Sequence, residues 1–474
     1  MVQHTREEEP NEGILDHVLY VIVLPARGSG EFTPFQGFSF NSFDAIEPFF
    51  RVCTLPATID ELFIPRRAAI ARRTTGFSGD AVAVIELEFV TQFRGGLPFT
   101  CFISTESTGA EVDRHVQARG RNRWLHLTLD PAVQGVQSLR RFSRRQMYNW
   151  ARSLAREIAA EGHVDLRGQE PRLRPFASWK KVRLNLHDRQ HNITLPSETG
   201  LTSVGFSLSK PKPIVAATDD VYAAALDDAA REIELIRTRA TAGLRPMIPG
   251  TPSLIVAVPS VFRQLSPRIV PADAPRPVRR AVRNVLRQQQ YTAMRSEASD
   301  AKELLENDEA KNILWMRAME LKTYTAVLSV TAASLCAPVF RCPPQVDRVR
   351  ELLLRLDGLG RAGRLDNLRL NKLARQVGRS LREAIPKALH EGIERHLDNG
   401  IKFIGDTPLE LLPIGDLPLA LRTTTSRMPT LPGTLMTRQC LMRTTMLLKP
   451  HEFRRVLIVR AFDDGDPLRD LAGR

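Results

Sequence analysis

The apolar positions near the N-terminus form short continuous runs, whereas those further along form helical stripes. Val18–Leu24 is continuously apolar and Val82–Val90 is rich in β-branched residues, so both are predicted strands. Leu125–Leu129 is a third candidate. We therefore expect residues 1–135 to form a β-rich N-terminal region.

Amphipathic helices are predicted after this region. Apolar residues recur every three or four positions from Met147 to Ile158, which predicts a helix over Ser143–Glu161 with Ser143 as its N-cap. A second helix is predicted over Asp219–Ala240. The Pro- and Gly-rich segment Gly243–Pro252 indicates a boundary, so residues 136–250 are taken as an α/β region.

The middle of the chain is predominantly helical in its pattern. After a short apolar strand at Ser253–Val258, helical periodicity continues to about residue 397, and residues 251–365 form a helical, Arg-rich region. Within it, Tyr324–Phe340 is apolar but contains several Ser and Thr, so we interpret it as a buried core helix rather than a membrane span.

The last predicted region comprises residues 366–474. An apolar stripe runs from Leu373 to Ile385, and a short helix from Leu389 to Leu397 follows. Strands are predicted at Ile401–Ile404 and Val456–Arg460, on either side of a Pro-rich stretch. The chain is therefore expected to be mixed α/β, with a β-rich N-terminal region, a helical middle and an α/β C-terminal region.

Composition and charge narrow the class of protein. The chain has 474 residues, is 43% hydrophobic and carries a net charge of +14, with 56 Arg against 11 Lys. A strongly basic chain raises the possibility of a nucleic-acid or other anionic partner. The five scattered cysteines argue against a disulfide framework, and the polar start argues against a signal peptide. We expect a cytoplasmic protein without a membrane partner or cofactor.

One arginine stripe is the candidate nucleic-acid surface. Arg279, Arg280, Arg283 and Arg287 lie in a segment that contains a single acid, and helical register places three of them on one face. Such a face can follow a phosphate backbone. The alternative is neutralisation by the acidic segment 297–309 across a helix hairpin. A second cluster comprises Arg140, Arg141, Arg144 and Arg145.

Three acids near the C-terminus form a candidate metal site. Asp463, Asp464 and Asp466 follow the predicted strand Val456–Arg460, where α/β folds often place ligand-binding carboxylates. The alternative is an acidic turn in which Asp466 caps a short helix.

Other motifs are given structural interpretations. His187 and His191 have the spacing of a metal-binding pair on a helix, but their segment has a strand or loop pattern and lacks the glutamate of a zinc helix. His390 and His396, six residues apart, are expected to be solvated. The glycines of GLGRAG (358–363) follow a helical pattern, so they indicate a turn between helices rather than a dinucleotide loop. The sequence contains no P-loop and no GxSxG motif.

The order of elements in residues 366–474 resembles the front of the caspase-like CHAT domain family. The residues that carry the resemblance are the helix VGRSLREAIPKAL, the acidic turn and "PlE.LP" segment with Asp406, Pro408, Glu410, Leu412 and Pro413, and the "rrvLiv" strand near the C-terminus. The resemblance implies an incomplete caspase-like sheet and a role in bacterial defence.

The family's catalytic His and Cys lie on strands beyond the "rrvLiv" strand. Cys440 and His451 precede that strand, so no catalytic Cys–His pair is identified and no catalytic residue is assigned. An unfinished sheet exposes a strand edge, which predicts a protein partner that covers it.

Three functional hypotheses remain open. The first is a non-catalytic regulatory or assembly protein. The second is a nucleic-acid-binding protein that uses the Arg279–Arg287 stripe. The third is an enzyme, either a metal-dependent one that uses the three aspartates or a divergent or partial CHAT-type cysteine protease.

Overall fold

The structure is a computed structural model. It describes residues 17–26, 32–33, 37–74, 81–93, 99–119, 124–161, 193–212, 219–242, 251–258, 275–276, 279, 306–343, 349–361, 366–405 and 407–428. The chain divides into units 1–442 and 443–474, and every described residue belongs to the first unit.

The first sheet has five parallel strands in the order β2-β1-β3-β4-β5. They are β1 (Val18–Leu24), β2 (Ala81–Glu86), β3 (Phe99–Ser104), β4 (Trp124–Thr128) and β5 (Gln137–Ser138). The interior strand β1 is almost fully buried, as expected for a strand that is covered on both faces. The predicted strand at Val18–Leu24 is therefore confirmed.

Helices cover both faces of this sheet. They are α1 (Ile46–Val52), α2 (Arg66–Thr74), α3 (Gly109–Arg119) and α4 (Arg144–Glu161), with 3-10 turns at Phe40–Ala45, Ile59–Leu62 and Leu87–Gln92. The predicted strand Val82–Val90 is correct only to Glu86. The end of the predicted strand forms a 3-10 turn instead. This turn lets Val90 pack against Phe102 in the small core under α3.

The second sheet has four parallel strands in the order β7-β6-β8-β11. They are β6 (Pro252–Ala257), β7 (Val339–Arg341), β8 (Gly400–Ile404) and β11 (Thr425–Met428). A small hairpin of β9 (Pro413–Ile414) and β10 (Leu417–Pro418) lies between β8 and β11 in sequence. The helices of this half are α5 (Leu195–Thr202), α6 (Asp219–Thr241), α7 (Asp308–Leu335), α8 (Val349–Arg361), α9 (Asn367–Ala384) and α10 (Lys387–Glu394).

The long helix α7 lies in a core that both sheets share. Its apolar residues, such as Val327 and Val330, pack in one cluster with Tyr20 of β1 and Ile255 of β6. The predicted buried helix at Tyr324–Phe340 is thus confirmed as far as Leu335, after which the chain turns into β7. Among the described helices, none is long and apolar enough to cross a membrane.

The helix α4 begins as its sequence predicts. The Ser143 hydroxyl oxygen accepts the Gln146 backbone N–H at 3.3 Å, and the Gln146 side chain accepts the Ser143 backbone N–H at 2.8 Å. This reciprocal pair is a capping box, which satisfies two backbone donors at the helix start.

A buried ion pair ties the two halves of the chain together. Arg73 donates to Glu61 at 2.6 and 2.7 Å, to the Ser203 hydroxyl at 2.9 Å and to the Ala333 carbonyl at 2.7 Å. Neither charged side chain is exposed. Burial alone would raise the pKa of Glu61, but the charge and hydrogen bonds of Arg73 hold that pKa below its usual value.

Candidate functional site at the carboxyl edge of the first sheet

The strand order of the first sheet indicates where a ligand would bind. The chain leaves β1 toward β2 on one side and returns to β3 on the other, so the direction of winding reverses between β1 and β3. In open α/β sheets, ligands bind outside the carboxyl ends of the strands at such a point. The candidate site is therefore the edge where β1, β3 and β4 end.

A serine, a histidine and an aspartate meet at this edge. The Ser104 hydroxyl lies 2.9 Å from His126 Nε2, and His126 Nδ1 lies 3.5 Å from Asp113 Oδ1. The tautomer with its proton on Nδ1 satisfies both contacts, since Nδ1 then donates to the carboxylate and Nε2 accepts from the hydroxyl. Gln117 also donates to Asp113. We call Ser104, His126 and Asp113 the first trio.

The local sequence explains how the first trio is assembled. Ser104 ends β3, and His126 is the central residue of β4, directly opposite Phe102. In paired strands, alternate residues face the same side, so both polar side chains point toward α3. Asp113 lies one turn into α3, above the histidine.

The first trio is sealed in the interior. Ser104 has no exposed surface, the His126 side chain is 4% exposed and the Asp113 side chain 12%. The rings of Phe102, Trp124 and His115 pack beside it. A nucleophile and base in this order support acyl transfer only where a substrate can reach the serine. In this structure the trio holds α3 onto the sheet.

A similar arrangement lies in the second half of the chain. The Ser253 hydroxyl is 2.9 Å from His396 Nδ1, and His396 Nε2 is 2.5 Å from Glu234 Oε1. This second trio lies at the amino end of β6, so it is remote from the edge where ligands bind in such sheets. Burial raises the pKa of Glu234, but the hydrogen bond and charge of His396, with Arg395 and Arg237, outweigh burial and lower it overall.

A cleft of ≈ 330 Å³ opens beside the first trio. Its lining residues are Thr128, Leu129, Asp130, Pro131, Val133, Val136, Ser138, Arg140 and Arg141. Thr128 connects the cleft to the trio, because it lies opposite Ser104 in the sheet. The volume is at the low end of the range for small-molecule sites, roughly 300–1,000 Å³.

The charges around the cleft are mostly paired. Arg140 donates to both Glu47 oxygens at 3.0 and 2.9 Å and lies 3.7 Å from Glu106. Burial and the nearby Glu106 carboxylate raise the pKa of Asp44. Arg141 is exposed at the cleft wall, and its guanidinium can bind an anionic group there.

Most residues of the predicted sites lie outside the described residues. Arg280, Arg283 and Arg287 do, as do Asp463, Asp464 and Asp466, so both predictions stay untested. Arg279 is described by itself, and its backbone N–H donates to the Pro275 carbonyl at 3.0 Å. The strand at Val456–Arg460 and the histidines of residues 187–191 also lie outside the described part.

Two motif interpretations are corrected. The prediction that His396 is solvated was wrong: the side chain is 3% exposed, because it contacts Glu234 and Ser253. Gly358 and Gly360 lie within α8 rather than in a turn after it. Both glycines lie in the last turn of the helix rather than in a loop at its start, so they do not form a dinucleotide loop.

The arginine cluster at the start of α4 has members with different environments. Arg140, Arg141 and Arg145 are exposed. Arg144 donates to the Ser203 carbonyl, and burial lowers the pKa of Arg144 to about 10.

The sequence analysis missed the first trio. One signal was present, since His126 interrupts the otherwise apolar strand Trp124–Thr128, and a buried histidine needs polar partners. The identity of those partners depends on strand pairing, which the sequence does not specify.

Within the described residues, no group of three or more His, Cys, Asp or Glu side chains is arranged to hold a metal ion. Comparison of the whole chain with models of known protein families, with curated proteins and with solved structures found no match.

Proposed function

We propose that the protein is a non-catalytic regulatory or assembly protein whose Ser–His–acid trios serve as interior connections. The observation that carries the proposal is the complete burial of Ser104 beneath α3. A nucleophile must come within roughly 3–3.5 Å of the substrate atom it attacks. The second trio supports the same reading, because Ser253 is only 3% exposed.

A fluorophosphonate probe, which labels activated serines, tests this proposal. We expect the full chain to show no labelling of Ser104 or Ser253 in peptide mass spectrometry. Ser104→Ala and His126→Ala should give the same background as the natural chain. Stoichiometric labelling of Ser104 that is lost in His126→Ala would refute the proposal.

The second candidate function is a serine hydrolase. The observation in its favour is the geometry of the first trio, in which the residues also follow one another in the chain as Ser, Asp and His. The α/β-hydrolases have this chain order. Labelling of Ser104 in the probe experiment would select this function, because only an accessible and activated hydroxyl reacts.

The partner surface in the proposal is the edge of the second sheet. β11 pairs with β8 on one side, and no described strand pairs with its other side. Ser426 and Arg427 are exposed on β11, and Arg427 is held by Glu410 at 2.7 Å. An open strand can accept a strand from a partner. The resemblance to CHAT domains favours a partner in bacterial defence.

Site-specific photocrosslinking in the source cells tests this surface. A photoreactive residue at position 426 should give one discrete crosslinked species, because an added strand would lie against β11. The matched control is the same residue at position 369, which is exposed on α9. Equal crosslinking from both positions, or none from position 426, would contradict a partner at this edge.

A further inference from the structure

Four cations form a regular exposed stripe on α9. Lys372, Arg375, Arg379 and Arg382 follow one another at intervals of three, four and three residues, so they lie along one side of the helix. All four are exposed. At about 1.5 Å per residue the stripe is about 15 Å long. We call these residues the α9 stripe.

The charges of the α9 stripe are not neutralised within the described part of the chain. Among the described residues, Lys372, Arg375 and Arg379 form no ion pair. Arg382 contacts only neutral oxygens, donating to the carbonyls of Pro413 and Gly415 at 3.2 and 3.4 Å. By contrast, Arg73 and Arg140 of the first half both bind carboxylates.

The opposite side of α9 is anchored in the core, which fixes the orientation of the stripe. Val377 and Leu381 are buried in the cluster under the second sheet. Gly378 lies so close to the hairpin that a Cβ there would be 3.5 Å from the Pro413 ring. Because this apolar side is occupied, α9 cannot insert it into a lipid surface, although Leu368 is 80% exposed at its start.

We propose that the α9 stripe binds the phosphate backbone of double-stranded nucleic acid. One strand of a duplex carries a phosphate about every 3.4 Å along the axis, so a 15 Å stripe spans about four phosphates. The α9 sequence contains no aromatic residue, which removes the stacking contacts that single strands use. The net charge of +14 favours the same class of partner. This inference holds whether or not the protein is catalytic.

The test measures how binding of a short random-sequence duplex depends on salt, by fluorescence anisotropy with the full chain. The plot of log K against log salt has a negative slope, and each lost phosphate contact reduces the magnitude of this slope by about 0.9. The triple variant Lys372→Gln, Arg375→Gln, Arg379→Gln should therefore lose about 2–3 from the slope. Arg375→Lys with Arg379→Lys keeps the charges, so it should bind nearly as well as the natural chain.

Two other triple variants remove the same charge elsewhere. The first changes the exposed Arg67, Arg145 and Arg152 to Gln, far from α9 in sequence. The second changes Arg279, Arg283 and Arg287 to Gln. We expect both to leave most of the slope intact. If the first control variant loses as much slope as the α9 triple variant, the binding is a general effect of charge. If the second control variant alone shows such a loss, the phosphate contacts lie on residues 279–287 instead of on α9.

Several outcomes overturn the inference. The absence of duplex binding at low salt would do so. Tighter binding to a single strand of the same length would also do so, because it would indicate base contacts. Binding to phosphatidylserine vesicles with no binding to the duplex would assign the stripe to a lipid surface instead.

Discussion

The two parallel sheets each hold a serine, a histidine and a carboxylate in hydrogen-bond contact, but at opposite ends of their strands. The first trio lies at the carboxyl end, where it joins β3 and β4 to α3. The second lies at the amino end of β6, where it joins α6 to the segment after α10. Only the first has the position of a ligand site, and it is the more deeply sealed. Contact geometry alone therefore does not establish an active site.

Two arginine–carboxylate pairs, one from each half, lie at different depths. In the first half, the ion pair of Arg73 and Glu61 is completely buried. In the second half, Arg427 and Glu410 form a pair near the surface, with the Arg427 side chain 30% exposed. Removing one partner from a buried pair leaves an uncompensated charge, whereas a surface pair contributes little.

The largest expected effect on the free energy of unfolding tests the difference between the two ion pairs. Arg73→Met should lower the free energy of unfolding by about 3–5 kcal/mol, since it leaves the charge of Glu61 unpaired in the core. Arg427→Met is the matched control and should cost at most about 1 kcal/mol. Urea unfolding followed by circular dichroism measures both. Similar losses for the two variants would contradict the assignment of Arg73 to a sealed core.

The next largest effect on stability is expected at glycines where a helix packs closely against its neighbours, and two such glycines can be compared. A Cβ at Gly392 of α10 would lie 2.4 Å from the Phe340 ring of β7, whereas at Gly109 of α3 it would lie 2.9 Å from Asp130 Cβ. Gly392→Ala should cost about 1–3 kcal/mol, because a fully buried ring has to move. Gly109→Ala should cost less, because it contacts a loop. Thermal melts rank the two, and the reverse order would show that α3 is the tighter contact.

The serines give a smaller and nearly equal effect if both trios are structural. Ser104→Ala and Ser253→Ala should each lower the free energy of unfolding by about 0.5–1.5 kcal/mol, the net value of one hydrogen bond. The same urea experiment applies. A Ser104→Ala protein as stable as the natural chain, or more so, would favour a strained functional serine over a structural one.

The smallest effect is a pH dependence that belongs to the second trio. The pKa of Glu234 is lowered in the folded state, so its stabilising contribution is complete above the ordinary value of 4.5 and is lost as the pH falls through the folded pKa. Glu234→Gln should therefore cost less than about 1 kcal/mol at neutral pH, since the side chain is partly exposed. That difference should vanish in acid. A difference independent of pH would contradict the ionic role.

The sequence pattern was sufficient to predict elements whose determining residues lie close together in the chain. The capping box of Ser143 and Gln146 and the apolar stripe from Leu373 to Ile385 both specify a helix without reference to the rest of the chain. By contrast, β7 has only three residues and lies between Pro338 and Pro343, so its strand character depends on pairing with β6. The end of the Val82–Val90 prediction was wrong for a similar reason, because packing against α3 decides the turn.

The candidate site shows the same division. The sequence identified basic surfaces, but it selected the segment 279–287, most of which lies outside the described residues, and overlooked α9. The α9 cations were visible in the sequence. Their exposure, and the absence of carboxylate partners among the described residues, depend on which side of α9 the core covers.

The sequence by itself determined the mixed α/β class, the main helices and strands, and the basic character of the protein, because these follow from local periodicity and charge count. Only the tertiary structure decided that Ser104, Asp113 and His126 meet, that the trio is buried, and that the α9 stripe is exposed. These facts depend on strand order and on contacts between residues distant in sequence, such as Arg73 with Ala333. Pairing of that kind is set by the packing of the whole chain rather than by any one segment.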